Sequence, residues 1–268
     1  MTSQSDNFTG KLIPVYLSLI CSLQRVSKHR CLVRLNHSPT TYDTINPLHS
    51  DLSGKVILVT GASRGIGRAI SIAYAQAGAS GLALLARNRA GLIETRTACM
   101  KAQRHGSDKN FQVLLLEVGI TSTEAVASAL KEVETKFKRL DIVVNNAGQF
   151  QGHQNNIGDM DPGSWWNIWT VNVNGLFNVT RAALPLLLDG LRIIVNMTSI
   201  TAHLITGGFS DYETSKLAIL RLSQFIAAEY GDQGVLCYAI HPGTILTDMP
   251  AQIPKNGGRN STLTWRIP

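Results

Sequence analysis

The sequence predicts an α/β chain built on one doubly wound parallel sheet with helices on both faces. Three observations carry that prediction. Six short apolar, β-branched runs recur through residues 54–249; patterns of helical period separate them; and the first run leads through a glycine-rich turn straight into a helical pattern.

The elements follow in order. "KVILVT" (55–60) reads as a buried strand, and "IGRAISIAYAQAG" (66–78) after it as a helix. "GLALLA" (81–86) and "FQVLLLE" (111–117) are the second and third strands, and "STEAVASALKEVETKF" (122–137) is a helix. "LDIVVNN" (140–146), "LRIIVNMTS" (191–199) and "GVLCYAIHP" (234–242) complete the strands, with a long helical pattern at 214–231. Strands that are apolar throughout need cover on both faces, and right-handed crossovers then wind the sheet doubly. Residues 1–53 and 250–268 do not share the pattern and read as an N-terminal extension and a tail, both irregular.

Composition excludes several classes. With 44% hydrophobic and 16% charged residues in 268, the chain has a globular balance and is not a disordered one. The net charge is +7, yet Lys and Arg form no run of five and no stripe with interleaved aromatics, so nucleic acid is not an expected partner. A phosphorylated ligand suits that charge better. No apolar run reaches the ~20 residues that span a bilayer. Cys21, Cys31, Cys99 and Cys237 form no CxxC pair, which points to neither a metal site nor a disulfide framework but to a reducing compartment. A cytoplasmic location follows. The alternative is mitochondrial targeting through residues 1–53, where no acid occurs between Asp6 and Asp43 while Lys11, Arg25, Lys28, Arg30 and Arg34 do.

The turn after the first strand is "TGASRGIG", with Gly61, Gly65 and Gly67 between a strand and a helix. A helix N-terminus offers free N–H groups and a positive dipole end, and glycine permits close approach, so this stretch is expected to hold a dinucleotide pyrophosphate. Tyr212 and Lys216 are spaced to share one face of a helix, a weak signal alone that also fits a solvated surface. Trp165, Trp166 and Trp169 cluster in a way that fits core or a subunit interface.

Taken together and in order, "TGASRGIG" (60–67), "NNAG" (145–148) and "YETSK" (212–216) resemble the classical short-chain dehydrogenase/reductase family over about residues 54–249. The resemblance implies a Rossmann-type fold and an oxidoreductase that interconverts a ketone and a secondary alcohol. It implies four catalytic residues. Tyr212 is the general acid/base, Lys216 beside it favours the phenolate and holds the nicotinamide ribose, Ser199 bonds the substrate oxygen, and Asn172 holds a water that passes protons to Lys216. Thr198 and Asn174 are the neighbouring residues of like type that lack the family spacing. The resemblance also gives cofactor contacts to Ser63, Ile66, Asn146, Ala147, Gly148, Pro242, Gly243, Ile245 and Thr247, with Glu117 and Val118 beside the adenine.

Cofactor choice is read from charge. Ala86 stands where a carboxylate would accept bonds from a ribose 2′-OH, while Arg64 and Arg87 suit a 2′-phosphate, so NADP(H) is expected. Either arginine would otherwise be an ordinary surface charge. Relative to the family, the chain after Pro250 lacks a convincing seventh strand, which motivates an alternative reading: a catalytically impaired NADP-binding protein acting through dimerisation or partner binding. Dehydration or epimerisation on the same fold is a third reading. The expected partners are a small carbonyl or alcohol substrate and further copies of the chain, as a homodimer or homotetramer through residues 161–188 and 210–230.

Overall fold

Five residues of unbroken burial, Val56–Thr60, make β3, the strand on which the molecule is organised. The computed structural model describes residues 21–23, 32–34, 46–103, 111–152, 155–187 and 189–242. Within the N-terminal extension, β1 (Cys21–Leu23) and β2 (Leu32–Arg34) pair antiparallel, and a 3₁₀ turn spans Pro47–His49. After β3 the chain runs through α1 (Gly65–Gln76), β4 (Gly81–Ala86), α2 (Arg89–Ala102), β5 (Gln112–Glu117), α3 (Thr123–Phe137) and β6 (Ile142–Asn145). It continues through α4 (Pro162–Trp169), a π turn at Thr170–Asn174, α5 (Gly175–Leu187), β7 (Ile193–Met197), α6 (Ser210–Tyr230) and β8 (Leu236–Ile240).

The six strands β3–β8 form one sheet in the order β5-β4-β3-β6-β7-β8, every neighbouring pair parallel. The chain lays strands outward from β3 to β5, then returns to the other side of β3 for β6. The carboxyl ends of β3 and β6 therefore flank the topological switch point, where open α/β sheets bind ligands. This is the doubly wound, Rossmann-type sheet that the periodicity predicts, six-stranded among the described residues.

Alternation along each strand feeds two cores. Ile57, Val59, Leu82, Leu84 and Ile142 face Ile70 and Tyr74 of α1 and Leu92 and Cys99 of α2. Val56, Leu58, Ala83, Leu85 and Val143 face Val126, Leu130 and Val133 of α3, Val179 and Ala183 of α5, and Ile226 of α6. Side chains start helices α2, α3 and α4. Asn88, Ser122 and Asp161 accept bonds from Gly91, Ala125 and Ser164 N–H, filling donors that a helix cannot satisfy itself.

The amino ends of the central strands share one knot. The fully buried Asp141 carboxylate accepts the Val56 N–H (2.9 Å), the Leu191 N–H (3.1 Å) and both Nε and Nη2 of Arg139 (2.8 and 2.6 Å). A buried carboxylate is tolerated here because each lone pair has a donor. Among the described residues no helix is long and apolar enough to cross a membrane.

Candidate active site

The glycine-rich turn packs directly on the loop after β6. Gly61 has φ +66°, and a Cβ there would lie 2.9 Å from the Ala147 Cα; one at Gly67 would lie 2.3 Å from the Gly61 carbonyl oxygen. Thr60 completes the join, its hydroxyl accepting the N–H groups of Asn146 and Ala147 at 3.0 Å each. The Asn146 amide donates to the Thr60 carbonyl (2.9 Å), so this side chain ties β3 to β6. Helix α1 begins with no side-chain cap and no acid in its first turn. Its first N–H groups and its dipole are thus available to an anion, and the loop fits a pyrophosphate. Ile66 turns its side chain to the core behind, leaving its backbone toward the turn.

Arg64 and Arg87 are both exposed at this end of the sheet, beside the buried Ala86. The stem of Arg87 lies over Gly119, where a Cβ would be 3.7 Å from its Cγ and Cδ. Glu117, at the end of β5, sits 3.7 Å from Nη1 of Arg89, and Val118 follows it with its N–H on the Ala86 carbonyl. Arg89 is a third cation at this rim that the sequence reading passed over. So is the support beneath the loop. Arg68 donates to the Ser63 carbonyl (2.6 Å), Thr95 Oγ1 (3.0 Å) and Glu94 (2.7 Å), and Thr95 Oγ1 lies 2.8 Å from the Ala62 carbonyl oxygen. No local pattern marks either, because the partners lie on different elements of the fold.

At the other end of the crevice, α6 starts at Ser210, so Tyr212 stands in its first turn and Lys216 one turn on. The Tyr212 hydroxyl faces Ser199. Ser199 leads the 3₁₀ turn after β7 and accepts from the Thr201 N–H (3.2 Å) and hydroxyl (3.0 Å). Thr198 points the other way, donating to the Lys216 carbonyl at 3.0 Å. Lys216 Nζ donates to the Met197 carbonyl at 3.0 Å and lies 5.5 Å from the Tyr212 ring centroid.

Asn172 is buried in the π turn between α4 and α5. Its Oδ1 accepts the Gln149 N–H (2.7 Å), and its Nδ2 donates to the Gln149 carbonyl (3.0 Å) and Ser215 Oγ (3.0 Å). One amide thus holds the loop after β6 against α6. A Cβ on Gly148 would come within 3.2 Å of Asn172 Oδ1 and 3.5 Å of Lys216 Nζ.

Burial governs the electrostatics. It pushes the Tyr212 phenol up to about 12, partly offset by the Ser199 hydroxyl, and pulls the Lys216 ammonium down to about 8. This reverses the sequence expectation for the phenol. The ammonium is beside the ring and spends a bond on Met197, so loss of hydration outweighs its attraction. At neutral pH Tyr212 carries its proton and is set as a donor.

Pro242 lies half-buried just beyond β8, while Gly243, Ile245 and Thr247 lie outside the described residues. His241, next to Pro242, is buried with Nδ1 unpartnered among the described residues, and burial holds its imidazole below the ordinary value. Among the described residues no His/Cys/Asp/Glu group could hold a metal.

Comparison with known proteins agrees with this geometry. The family profile described as short chain dehydrogenase matches residues 55–257. The short chain dehydrogenase mpl6 of Monascus purpureus is 46% identical over 217 residues, 81% of this chain and 73% of that protein. An oxidoreductase of E. coli, yciK, superposes with TM-score 0.67 at 31% identity over 75% of this chain and 80% of that one. NAD+-bound xylitol dehydrogenase superposes with TM-score 0.63 at 28% identity over 71% and 70%. With its sheet, its glycine-rich turn and its relatives in agreement, the chain belongs to the short-chain dehydrogenase family of nicotinamide-dependent oxidoreductases.

Proposed function

We propose that the protein is an NADP(H)-dependent oxidoreductase interconverting a ketone and a secondary alcohol, with Tyr212 as general acid/base. The observation that carries this reading is the placing of Ser199 beside the Tyr212 phenol with Lys216 and Asn172 behind it, at the same crevice as the glycine-rich turn. The nicotinamide, when bound, supplies or accepts the hydride. The turn from Gly61 to Gly67 would hold its pyrophosphate, and Arg64 and Arg87 its 2′-phosphate. Ser199 Oγ holds the substrate oxygen. Tyr212 gives that oxygen a proton in reduction and takes it back in oxidation. Lys216 Nζ and the Asn172 amide, linked to the first turn of α6, restore the proton on the phenol.

The NAD+-bound structural relative makes NAD the competing cofactor, and the positive charge at the rim supports NADP(H) over it. Fluorescence titration should give much tighter binding of NADPH than of NADH; equal or tighter NADH binding refutes the cofactor assignment. Against a ketone that the protein turns over, Tyr212→Phe should lose on the order of 10²–10⁴ in kcat while still binding NADPH. Near-normal turnover by that variant refutes the assignment of Tyr212.

The same reading includes self-association. Trp165, Trp166 and Trp169 stack at 5.6–6.1 Å between centroids, and the Nε1 groups of Trp165 and Trp169 bond to Ser210 and Thr214 of α6. Beside them a groove of about 410 Å³ is lined by Trp166, Trp169, Val173, Phe177 and Leu222. Trp166 and Phe177 at this groove stay exposed, as do Leu217 and Phe225 of α6. Apolar surface of this kind on α4–α6 supports a homodimer or homotetramer. Light scattering that gives a monomer at micromolar concentration refutes it.

A further inference from the structure

We infer that Phe150 and Phe209 are specificity-determining residues that select a carbonyl substrate bearing an aromatic or other flat, unsaturated arm. The inference rests on the ketone–alcohol reading above and names its substrate class.

The two rings stand next to the acid. Phe150 meets Tyr212 edge to face, with centroids 5.0 Å apart and planes at 77°. Phe209 lies almost parallel to Phe150, at 5.8 Å and 13°. Both are half-buried, so ring surface remains open beside the phenol.

Their backbones are fixed. Phe150 follows Gln149, whose N–H and carbonyl are both held by Asn172. Phe209 sits just before α6, its N–H on the Thr206 carbonyl (3.2 Å) and its carbonyl on the Glu213 N–H (3.0 Å). The Glu213 carboxylate closes that turn by accepting the Thr206 N–H at 2.9 Å. Two separate loops thus hold aromatic planes in one wall without help from a ligand, which is the preorganisation that selectivity needs.

Chemistry indicates what the wall prefers. An aromatic face carries a quadrupole and rewards offset or edge contact with another π system. A saturated ring is thicker and lacks that term, although it is the more hydrophobic. Hydrophobic burial alone therefore favours the saturated ligand, and a preference for the flat one reports the rings.

The test compares 4-phenylbutan-2-one with 4-cyclohexylbutan-2-one, whose carbonyls are insulated from the ring and equally reactive. Binding to the full chain saturated with NADP+ is measured by calorimetry, and turnover with NADPH separately. The unaltered protein should bind the phenyl ketone about tenfold more tightly. Phe150→Leu and Phe209→Leu should bring the ratio near one, and Phe150→Tyr should keep it. If Phe150 only braces Tyr212, Phe150→Leu lowers kcat equally for both ketones and leaves the ratio alone, which overturns the inference. A ratio near one in the unaltered protein, or binding of neither ketone, overturns it too. Selective binding without turnover leaves the aromatic wall standing and refutes the ketone reductase reading instead.

Discussion

Replacing Lys216 with Met should stabilise the fold at neutral pH, and the gain should vanish as the pH rises. Burial lowers the ammonium from its ordinary 10.5 to about 8. Between those values the unfolded chain binds more protons, so stability rises with pH there and is lowest below pH 8. The shift corresponds to about 3 kcal/mol of penalty at pH 7. Met fills nearly the same volume without charge, but the Met197 carbonyl loses its donor, a cost of about 1–3 kcal/mol. The net gain at pH 7 is about 1 kcal/mol, or roughly 2–4 °C in Tm for a domain of this size. Near pH 10 the penalty is nearly gone and the variant should be the less stable protein. Urea unfolding of both proteins from pH 7 to 10.5 measures this. Cys99, Cys237 and Tyr74, each raised by burial, act in the opposite sense over that range, and the difference between the two proteins cancels them. A difference that does not change with pH, or one that moves in the variant's favour as pH rises, refutes the reasoning.

Three further outcomes are expected. Asp141→Ala should cost about 3–5 kcal/mol in urea unfolding, since Arg139 and the N–H groups of Val56 and Leu191 all lose their partner. Its effect on the site should be indirect, because the knot lies at the opposite end of the sheet. Arg64→Ala with Arg87→Ala should weaken NADPH at least tenfold in fluorescence titration and leave NADH nearly unchanged. Gly67→Ala should abolish binding of both, as its methyl would collide with the backbone oxygen of Gly61 rather than with a side chain that can turn aside.

Much of this fold can be read from the chain, and the reason is local. Strands β3, β4, β6 and β7 are short runs buried at every position, so apolar content alone reveals them. The glycine-rich turn is legible because strand, glycines and helix are contiguous. Function-bearing contacts are less so. The π turn that buries Asn172 continues the helical pattern on either side of it, and periodicity cannot distinguish it. The Arg68 latch, the Arg89–Glu117 pair and the Met197 carbonyl that accepts the Lys216 hydrogen bond join residues on different elements, and nothing in the spacing announces them. The elevated phenol of Tyr212 is likewise a property of burial, which a Tyr–Lys spacing does not contain.

The hydrogen bonds that assemble the crevice also say when it forms during folding. Asn146 and Thr60 are 86 residues apart, Asn172 and Ser215 are 43, and Asn172 and Gln149 are 23. Closing loops of that length carries an entropic cost that only the finished sheet offsets, so such contacts come late. Helices α1 and α2 with β3 and β4 can associate early through neighbours in sequence, yet they would hold only half a crevice. In refolding, recovery of cofactor binding should therefore trail recovery of helical signal, and a chain nicked between β6 and α6 has to re-form several distant closures before it binds anything.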